Sequence, residues 1–274
     1  MEFDTAPASN YTLPDLVKYL NRGFEEYFVP IQFNTAAFLD TLRKDGIDLT
    51  ASRILIIDDQ PCGIGLIARR GWASRLAAMG ISRELRGKGA GSWFMEELID
   101  EARQRGEREM VLEVIEQNDP AVKLYRNCGF QTVRRLVGFI YKDAQELSKD
   151  KLLEIDLREM GRLVSQHGLL DLPWQLSGES IAQLNPPTRA YCKEHAYIAI
   201  SNPGAERVVI WSLLVEPEAR GNKLGTDLLK TVTASHPGRS WHVPALFPEE
   251  LSKSFEGAGF EKENLSQWQM KLNL

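Results

Sequence analysis

The residues with the clearest capacity for chemistry form a glycine-rich loop at positions 86–91, with the sequence RGKGAG. Residues 76–81 before it read as a short buried strand, and a helical pattern of apolar residues follows at once. A strand, a glycine loop and a helix N-terminus together present free backbone N–H groups and the positive end of the helix dipole. The loop is therefore predicted to bind an anion, because glycine allows positive φ and close approach to the amides.

Two common phosphate-binding patterns do not fit this loop. It lacks the GxxxxGK[ST] sequence of nucleotide triphosphatases, and Ser92 occupies the position where the dinucleotide fingerprint requires its third glycine. The spacing that remains is Arg-x-x-Gly-x-Gly, from Arg86 to Gly91. A glycine-rich helix start without any ligand is the alternative interpretation at this point.

The elements that must position the loop follow from hydrophobic periodicity. Helices are predicted over residues 13–28, 35–44, 92–105 and 121–127, and strands over 54–57, 63–67, 76–81, 110–115 and 133–141. The strand 110–115 lacks alternation, so both of its faces should be covered, as in a central strand. The polar segment 143–151 is interpreted as a connection between domains.

The composition is that of an average globular protein. At 274 residues, with 43% hydrophobic and 26% charged residues, the chain is long enough for two domains. Its net charge of −5 argues against nucleic acid as the main partner. No apolar run of about 18 residues occurs and the N-terminus lacks a secretion signal, so we expect a cytoplasmic protein without a membrane span. The three cysteines are widely separated, so we expect no structural metal.

The second half of the chain repeats the first in weakened form. Residues 215–225 match 81–91, and residues 255–260 match 125–130 in the same order. Two landmarks repeated in one order indicate an internal duplication. Chance similarity around a few glycines is the alternative.

Residues 118–130 read NDPAVKLYRNCGF. Together with the loop, this run resembles the GCN5-related N-acetyltransferase (GNAT) family. In that family (Gln/Arg)-x-x-Gly-x-(Gly/Ala) holds the diphosphate of acetyl-CoA, and N-x-x-A-x-x-L-Y-x-x-x-G-F follows it. The resemblance covers residues 1–145 well and is looser over 152–274. It implies two tandem α/β domains with a mixed sheet, a catalytic one at 1–145 and a degenerate one at 152–274.

The resemblance implies acetyl-CoA as co-substrate, lying where the sheet splays between strands 76–81 and 110–115. Backbone groups there would pair with the pantetheine like an added strand, and an N–H would polarise the thioester carbonyl. The implied cofactor-binding residues are Met79, Ile81, Arg86, Gly87, Lys88, Gly89, Ala90, Gly91, Ser92 and Asn118. For Arg86 and Lys88 the alternative is a solvated loop charge, and for Asn118 a role in the turn that enters the helix.

Tyr125 stands at the tyrosine of the family motif, which implies that it donates a proton to the departing CoA thiolate. The thiolate has an ordinary pKa of about 8.5 and the phenol one of about 10. Such a donor is usually worth about 10²–10⁴ in rate. The alternative is a core tyrosine on an amphipathic helix.

Glu113 lies within the apolar strand, where burying a carboxylate is costly and would raise its pKa. It resembles the strand glutamate that ribosomal-protein alanine acetyltransferases place twelve residues before their tyrosine. The implied role is a general base that acts through a water molecule. A glutamate in an ion pair is the alternative role, and Glu116 is the alternative base.

The second half departs from the motif at each chemical position. Lys223, Val243, Pro248 and Phe255 replace Gly89, Glu113, Asn118 and Tyr125 respectively. A phenyl ring cannot donate a proton. We therefore predict that residues 152–274 keep the scaffold without the chemistry.

These inferences predict an N-acyltransferase that transfers an acetyl group from acetyl-CoA to a small-molecule or peptide amine by direct attack. The net negative charge slightly favours a cationic acceptor. A different acyl group or an oxygen acceptor is the alternative among enzymes. A non-catalytic acyl-CoA-binding or partner-binding module is the alternative from another class. The amine and the oligomeric state stay open.

Overall fold

The structure of the protein is a computed structural model that describes residues 2–29, 32–142 and 151–274. The helices are α1 Leu13–Gly23, α2 Thr35–Asp45, α3 Ala90–Gln104, α4 Asp119–Asn127, α5 Leu157–His167, α6 Gly178–Ala182, α7 Leu224–Ser235 and α8 Ser252–Gly257. The strands are β1 Phe3–Pro7, β2 Arg53–Ile57, β3 Gln60–Arg70, β4 Ala73–Ile81, β5 Glu109–Ile115, β6 Gln131–Lys142, β7 Leu153–Ile155, β8 Arg189–Lys193, β9 Ala196–Ile200, β10 Arg207–Val215, β11 Ser240–Pro248 and β12 Glu261–Asn273. Within the described ranges, no helix is both long and apolar enough to cross a membrane.

The chain divides into two compact units, and unit 1 is built from two separate stretches of the sequence. Unit 1 contains residues 1–133 and 268–274, and unit 2 contains residues 134–267. The last strand of the chain therefore contributes its end to unit 1. The predicted connection at 143–151 lies outside the described residues except for its final lysine, and the domain limits 1–145 and 152–274 stay a prediction.

Unit 1 is built on a mixed sheet with the order β1-β2-β3-β4-β5-β12. The pairs from β1 to β4 are antiparallel, whereas β4 and β5 are parallel. One apolar cluster joins α3 and α4 to one face of this sheet, and a second joins α1 and α2 to the other. The sheet is thus covered on both faces, as the apolar strand 110–115 predicts.

The two parallel strands of unit 1 pair over only a short distance. β4 and β5 are in register from Ala73 opposite Glu109 to Arg75 opposite Val111, and no further. On its other edge β4 stays paired with β3 up to Ile81, with a bulge near Ala77. The six residues at the end of β4 therefore leave β5 and open a split in the sheet. This split is the opening that the resemblance implies.

Unit 2 repeats this arrangement. β10 and β11 are parallel and pair only from Arg207 to Val209, while β9 continues along the other edge of β10. A bulge occurs near Trp211, which corresponds to Ala77 at the spacing of the internal repeat. The predicted duplication is therefore visible in the folding of both units.

The first helix is shorter than its sequence pattern predicts. It ends at Gly23 and not at Phe28. Glu26 has a φ of 56°, which an α-helix cannot accommodate. Gly23 also packs directly against the backbone of Gly80, since a Cβ on Gly23 would lie 2.7 Å from the Gly80 Cα. Tyr27 consequently follows a turn at residues 24–26 and is not on a helix.

Candidate active site

The glycine loop forms a backbone concavity at the start of α3. Gly87 and Gly89 have φ values of 74° and 86°, in the region that favours glycine. Gly89 is the N-cap residue, and no side chain caps the helix. A Cβ at either glycine would meet no atom within 4 Å, so the loop borders open space.

The amides of this loop are free to bind a ligand. The backbone N–H groups of residues 87–92 donate no hydrogen bond to any residue in the described ranges. Trp93 starts the helical ladder by donating to the Gly89 carbonyl at 3.1 Å. Consecutive free amides at the positive end of a helix dipole suit a phosphate or diphosphate group.

The two cations of the loop differ in what they contact. Arg86 donates from Nε to the Ile81 carbonyl at 3.1 Å and from Nη2 to the Gly23 carbonyl at 3.0 Å. These bonds hold the loop against the ends of β4 and α1. The Lys88 ammonium is exposed and forms no hydrogen bond or ion pair with the described residues, although it lies near enough to Glu84 to lower the pKa of that carboxyl. The phosphate-binding role of Arg86 stays a prediction.

Gly91 brings the loop to the mouth of the split. A Cβ there would lie 3.5 Å from Ile81 Cδ1, 3.5 Å from Leu124 Cδ2 and 4.0 Å from Met79 Cε. The side chains of Met79 and Ile81 pack against the apolar cluster that contains Tyr125. The free amides, the open end of β4 and the helix α4 therefore meet in one place.

Tyr125 projects from α4 into this cluster. Its side chain is 8% exposed and its ring centroid lies 5.9 Å from that of Phe130. Burial, reinforced by the nearby Tyr27 and Cys128, raises the pKa of Tyr125, so the phenol is protonated at neutral pH. Its hydroxyl forms no hydrogen bond with the described residues and is not among the fully buried atoms that lack a partner. The hydroxyl thus keeps some accessible surface, and its role as the proton donor stays a prediction.

Glu113 belongs to a buried ion-pair network. Its Oε2 accepts a hydrogen bond from Arg75 Nε at 2.8 Å, and Arg75 Nη1 donates to Asp45 Oδ2 at 3.0 Å. Burial opposes the charge of Arg75, but the two carboxylates raise its pKa overall, so the guanidinium stays charged. Glu113 Oε1 is buried and accepts no hydrogen bond from the described residues. One carboxylate oxygen is therefore paired with Arg75, whereas the other is enclosed without a partner, and the role of Glu113 as a general base stays a prediction.

Glu113 and Tyr125 approach the split from opposite sides of the sheet. Met110, Leu112 and Val114 belong to the same apolar cluster as Tyr125. Side chains alternate along a strand, so Glu113 lies on the other face of β5. It also lies two residues beyond Val111, the last residue of β5 that pairs with β4. The two side chains therefore lie on opposite faces of the sheet, and their catalytic roles stay predictions.

Tyr27 is not among the predicted site residues, although it interacts with both Tyr125 and Asn118. Burial raises the pKa of Tyr27, and a hydrogen bond from the Asn118 side chain partly offsets that effect. Asn118 Oδ1 accepts from the Ala121 N–H at 3.3 Å and caps α4. The structure thus shows the turn role of Asn118, while its role toward pantetheine stays a prediction. The run of aromatic residues at positions 24–28 is the signal that could have drawn attention to Tyr27.

Two kinds of comparison relate the chain to known proteins. Residues 14–130 match the model of the acetyltransferase (GNAT) family. No curated protein matches the sequence.

The described residues contain no group of three or more His, Cys, Asp or Glu side chains that could hold a metal ion.

Several solved structures share the fold over almost the whole chain. A GCN5-related N-acetyltransferase from Sphaerobacter thermophilus has a TM-score of 0.67 at 14% identity, covering 99% of this chain and 95% of its own. A putative acetyltransferase from Pyrococcus horikoshii has a TM-score of 0.67 at 14% identity, covering 100% and 89%. A tandem GNAT protein from the clavulanic acid biosynthesis pathway has a TM-score of 0.66 at 14% identity, covering 99% and 98%. Residues 14–130 therefore match the acetyltransferase (GNAT) family, and over its length the chain has the fold of a tandem GNAT protein.

Proposed function

We propose that unit 1 transfers an acetyl group from acetyl-CoA to an amine by direct attack. Acetyl-CoA-dependent N-acetyltransfer is the general activity of the family, and the active unit and the mechanism are our inference. The observation that carries the proposal is the row of free amides at residues 87–92, which lies beside Ile81 at the end of β4 and Leu124 on α4, the helix that also carries Tyr125. This arrangement can hold a diphosphate and aim a thioester into the sheet.

In the proposed reaction the amine nitrogen attacks the thioester carbonyl carbon and the carbon–sulfur bond breaks. The CoA thiolate takes the proton of the Tyr125 phenol. The proton lost by the amine passes to a water molecule and from there to Glu113. Exchange with solvent then restores the phenol and the carboxylate. An N–H on the open edge of β4 stabilises the carbonyl oxygen as it gains charge.

The arrangement also limits the acceptor. The amine must approach from the face of β5 that carries Glu113, because the opposite face holds Tyr125 in the apolar cluster. Small-molecule and peptide amines both meet this requirement.

Replacement of the phenol tests the proposal. Primary amines are screened with acetyl-CoA by detection of the released thiol, and the best acceptor is then used with Tyr125→Phe. We expect turnover to fall about 10²–10⁴-fold while acetyl-CoA affinity is kept. Tyr19→Phe removes a hydroxyl from α1 and serves as the matched control. Equal turnover of Tyr125→Phe and wild type would exclude the phenol as the acid, and the absence of thiol release with every amine would favour a binding module.

A further inference from the structure

Arg86 joins the glycine loop of unit 1 to the end of the first helix. Its Nε donates to the carbonyl of Ile81, the last residue of β4, at 3.1 Å. Its Nη2 donates to the carbonyl of Gly23, the last residue of α1, at 3.0 Å, and lies 3.5 Å from the Glu25 carbonyl in the turn that follows. The last carbonyls of a helix lack partners within it and carry the negative end of its dipole, so a cation is stabilised there.

Unit 2 contains the same contact at Arg220. Its Nε donates to the carbonyl of Val215, the last residue of β10, at 3.1 Å, and its Nη2 donates to the carbonyl of His167, the last residue of α5. Arg220 matches Arg86 at the spacing of the internal repeat, and each arginine follows a single 3-10 turn. Both copies of the fold therefore use one arginine to tie the end of a strand to the end of a helix.

This contact persists where the residues implied in the reaction do not. Lys223 stands at the position of Gly89, and Phe255 stands at the position of Tyr125. Phe255 is fully buried, and its ring stacks on Phe139 with centroids 4.9 Å apart. A phenyl ring in the core cannot donate a proton. The arginine contact therefore does not depend on the side chains that react.

The bonds of Arg86 also limit what it can offer to a diphosphate. Arginine binds a phosphate best through two parallel N–H groups on one edge of the guanidinium. Nε and Nη2 form one such edge, and in Arg86 both donate to backbone carbonyls. The amides of residues 87–92 form no such bonds. The contacts of Arg86 therefore favour a role in positioning the backbone over the diphosphate-binding role that the resemblance implies.

The turn that Arg86 holds leads to an aromatic residue beside the proposed reaction site. The Tyr27 N–H donates to the Phe24 carbonyl at 3.2 Å, and the two rings meet edge to face with centroids 5.0 Å apart. The side chain of Asn118 forms a hydrogen bond with Tyr27. Burial, and then the nearby Tyr27, raise the pKa of Tyr125. The position of Tyr27 relative to Tyr125 thus depends on the turn.

Two ion pairs cross the same junction, but both are exposed. Arg22 pairs with Glu84, and Arg83 pairs with Glu26 at 2.7 Å, with side chains 67% and 66% exposed in the second pair. Exposed pairs are screened by solvent and salt and contribute little. Hydrogen bonds from a charged donor to fixed carbonyls are stronger and more directional. Arg86 is therefore the main connection between the loop and the turn.

From these contacts we propose that Arg86 is a positioning residue for the transfer reaction. It holds the turn at residues 24–26 against the glycine loop, and so keeps Tyr27 beside Tyr125 and Asn118. The amides of the loop, and not Arg86, hold the diphosphate. The effect on turnover rests on the function proposed for unit 1, whereas the contact itself is a property of the free protein.

Amide hydrogen exchange in the free protein, followed by NMR, tests the contact. Arg86→Met removes both donors, so the amides of Phe24 and Tyr27 should exchange about tenfold faster. Arg220→Met breaks the matching contact in unit 2, and Arg83→Met breaks only an exposed pair at the same junction. Both controls should leave the exchange of these two amides unchanged. Equal exchange in Arg86→Met and the wild type would overturn the proposal.

Kinetics with two acetyl donors separates positioning from phosphate binding. S-acetylpantetheine carries the thioester without the diphosphate. Arg86→Met and Arg86→Lys should both lower kcat/KM for the amine about tenfold with either donor, because lysine cannot reproduce the fork of donors. Acetyl-CoA affinity, measured by calorimetry, should stay within about twofold of the wild type. Arg220→Met should leave kcat/KM unchanged.

Opposite kinetic results would overturn the positioning role. One such result is that Arg86→Met weakens acetyl-CoA binding, Arg86→Lys restores it, and turnover with S-acetylpantetheine equals that of the wild type. Another is an unchanged kcat/KM in Arg86→Met despite faster exchange of the Phe24 and Tyr27 amides. If the wild type acetylates no amine while Arg86→Met still speeds this exchange, the contact is supported and the proposed function is contradicted.

Discussion

Arg75 Nε lies 2.8 Å from Glu113 Oε2, and Arg75 is also the last residue of β4 that pairs with β5. The ion pair therefore stands where the two strands separate. With Asp45 it forms a buried network of one cation and two carboxylates. This network fixes the orientation of Glu113 at the edge of the split.

Replacement of Arg75 should strongly lower the stability of unit 1. Arg75→Met removes the cation that neutralises the buried Glu113 carboxylate, so we expect a loss of about 3–5 kcal/mol in unfolding free energy. The measurement is urea denaturation. Arg103→Met breaks the exposed pair with Asp100 and should cost less than about 1 kcal/mol. Similar losses for both variants would contradict the structural role of Arg75.

The raised pKa of Tyr125 predicts how kcat depends on pH above neutrality. Burial and the neighbouring Tyr27 and Cys128 shift it above the ordinary value of 10.0. The protonated phenol is the active form, so raising its pKa extends activity to higher pH. We expect kcat to show no decline up to pH 10.0. A decline centred below that value, absent from Tyr125→Phe, would show that the phenol ionises too early for this role.

The loop glycines should be needed because they let a ligand approach the backbone amides, and not because the fold requires them. Gly89→Ala places a Cβ beside the free amides, so we expect acetyl-CoA to bind about 10–100-fold more weakly. The affinity is measured by NMR, from the change of the Ser92 amide signal as acetyl-CoA is added. Gly71 has a φ of 55° and equal space around it, but lies in the turn between β3 and β4. Gly71→Ala therefore introduces comparable strain and should leave the affinity unchanged. Equal affinities for the two variants would argue against contact between the loop and the ligand.

The end of the chain should stabilise unit 1. Met270 and Leu272 on β12 are buried in the same cluster as Tyr125. Met270→Ala should cost about 2–5 kcal/mol in unfolding free energy, whereas Asn273→Ala, at an exposed position of the same strand, should cost little. Residues 1–145 expressed alone should then be less stable than the full chain. A fragment as stable as the full chain would show that the strand contributes nothing.

Local patterns in the sequence predicted the parts of the site that depend on local structure. The loop conformation follows from glycine spacing, and α4 follows from Asn118 and the apolar stripe after it. The resemblance also placed the split in the sheet correctly. These features lie within single elements or between neighbouring ones.

Contacts between distant residues explain what was missed. Arg75 and Glu113 are far apart in sequence, and nothing local to either predicts their pairing. The end of α1 depends on the approach of Gly23 to Gly80, so Tyr27 was assigned to a helix. The strand β12 was not predicted, although the alternation of Trp268, Met270 and Leu272 is a strand signal.

The most direct test of the account is amide hydrogen exchange at residues 87–92, followed by NMR with and without acetyl-CoA. These amides have no hydrogen-bond partner in the described part of the free protein, so they should exchange rapidly. Acetyl-CoA should slow their exchange, because the diphosphate accepts hydrogen bonds from them. If acetyl-CoA binds and residues 87–92 exchange as rapidly as before, the loop does not hold the cofactor and the proposed active site is wrong.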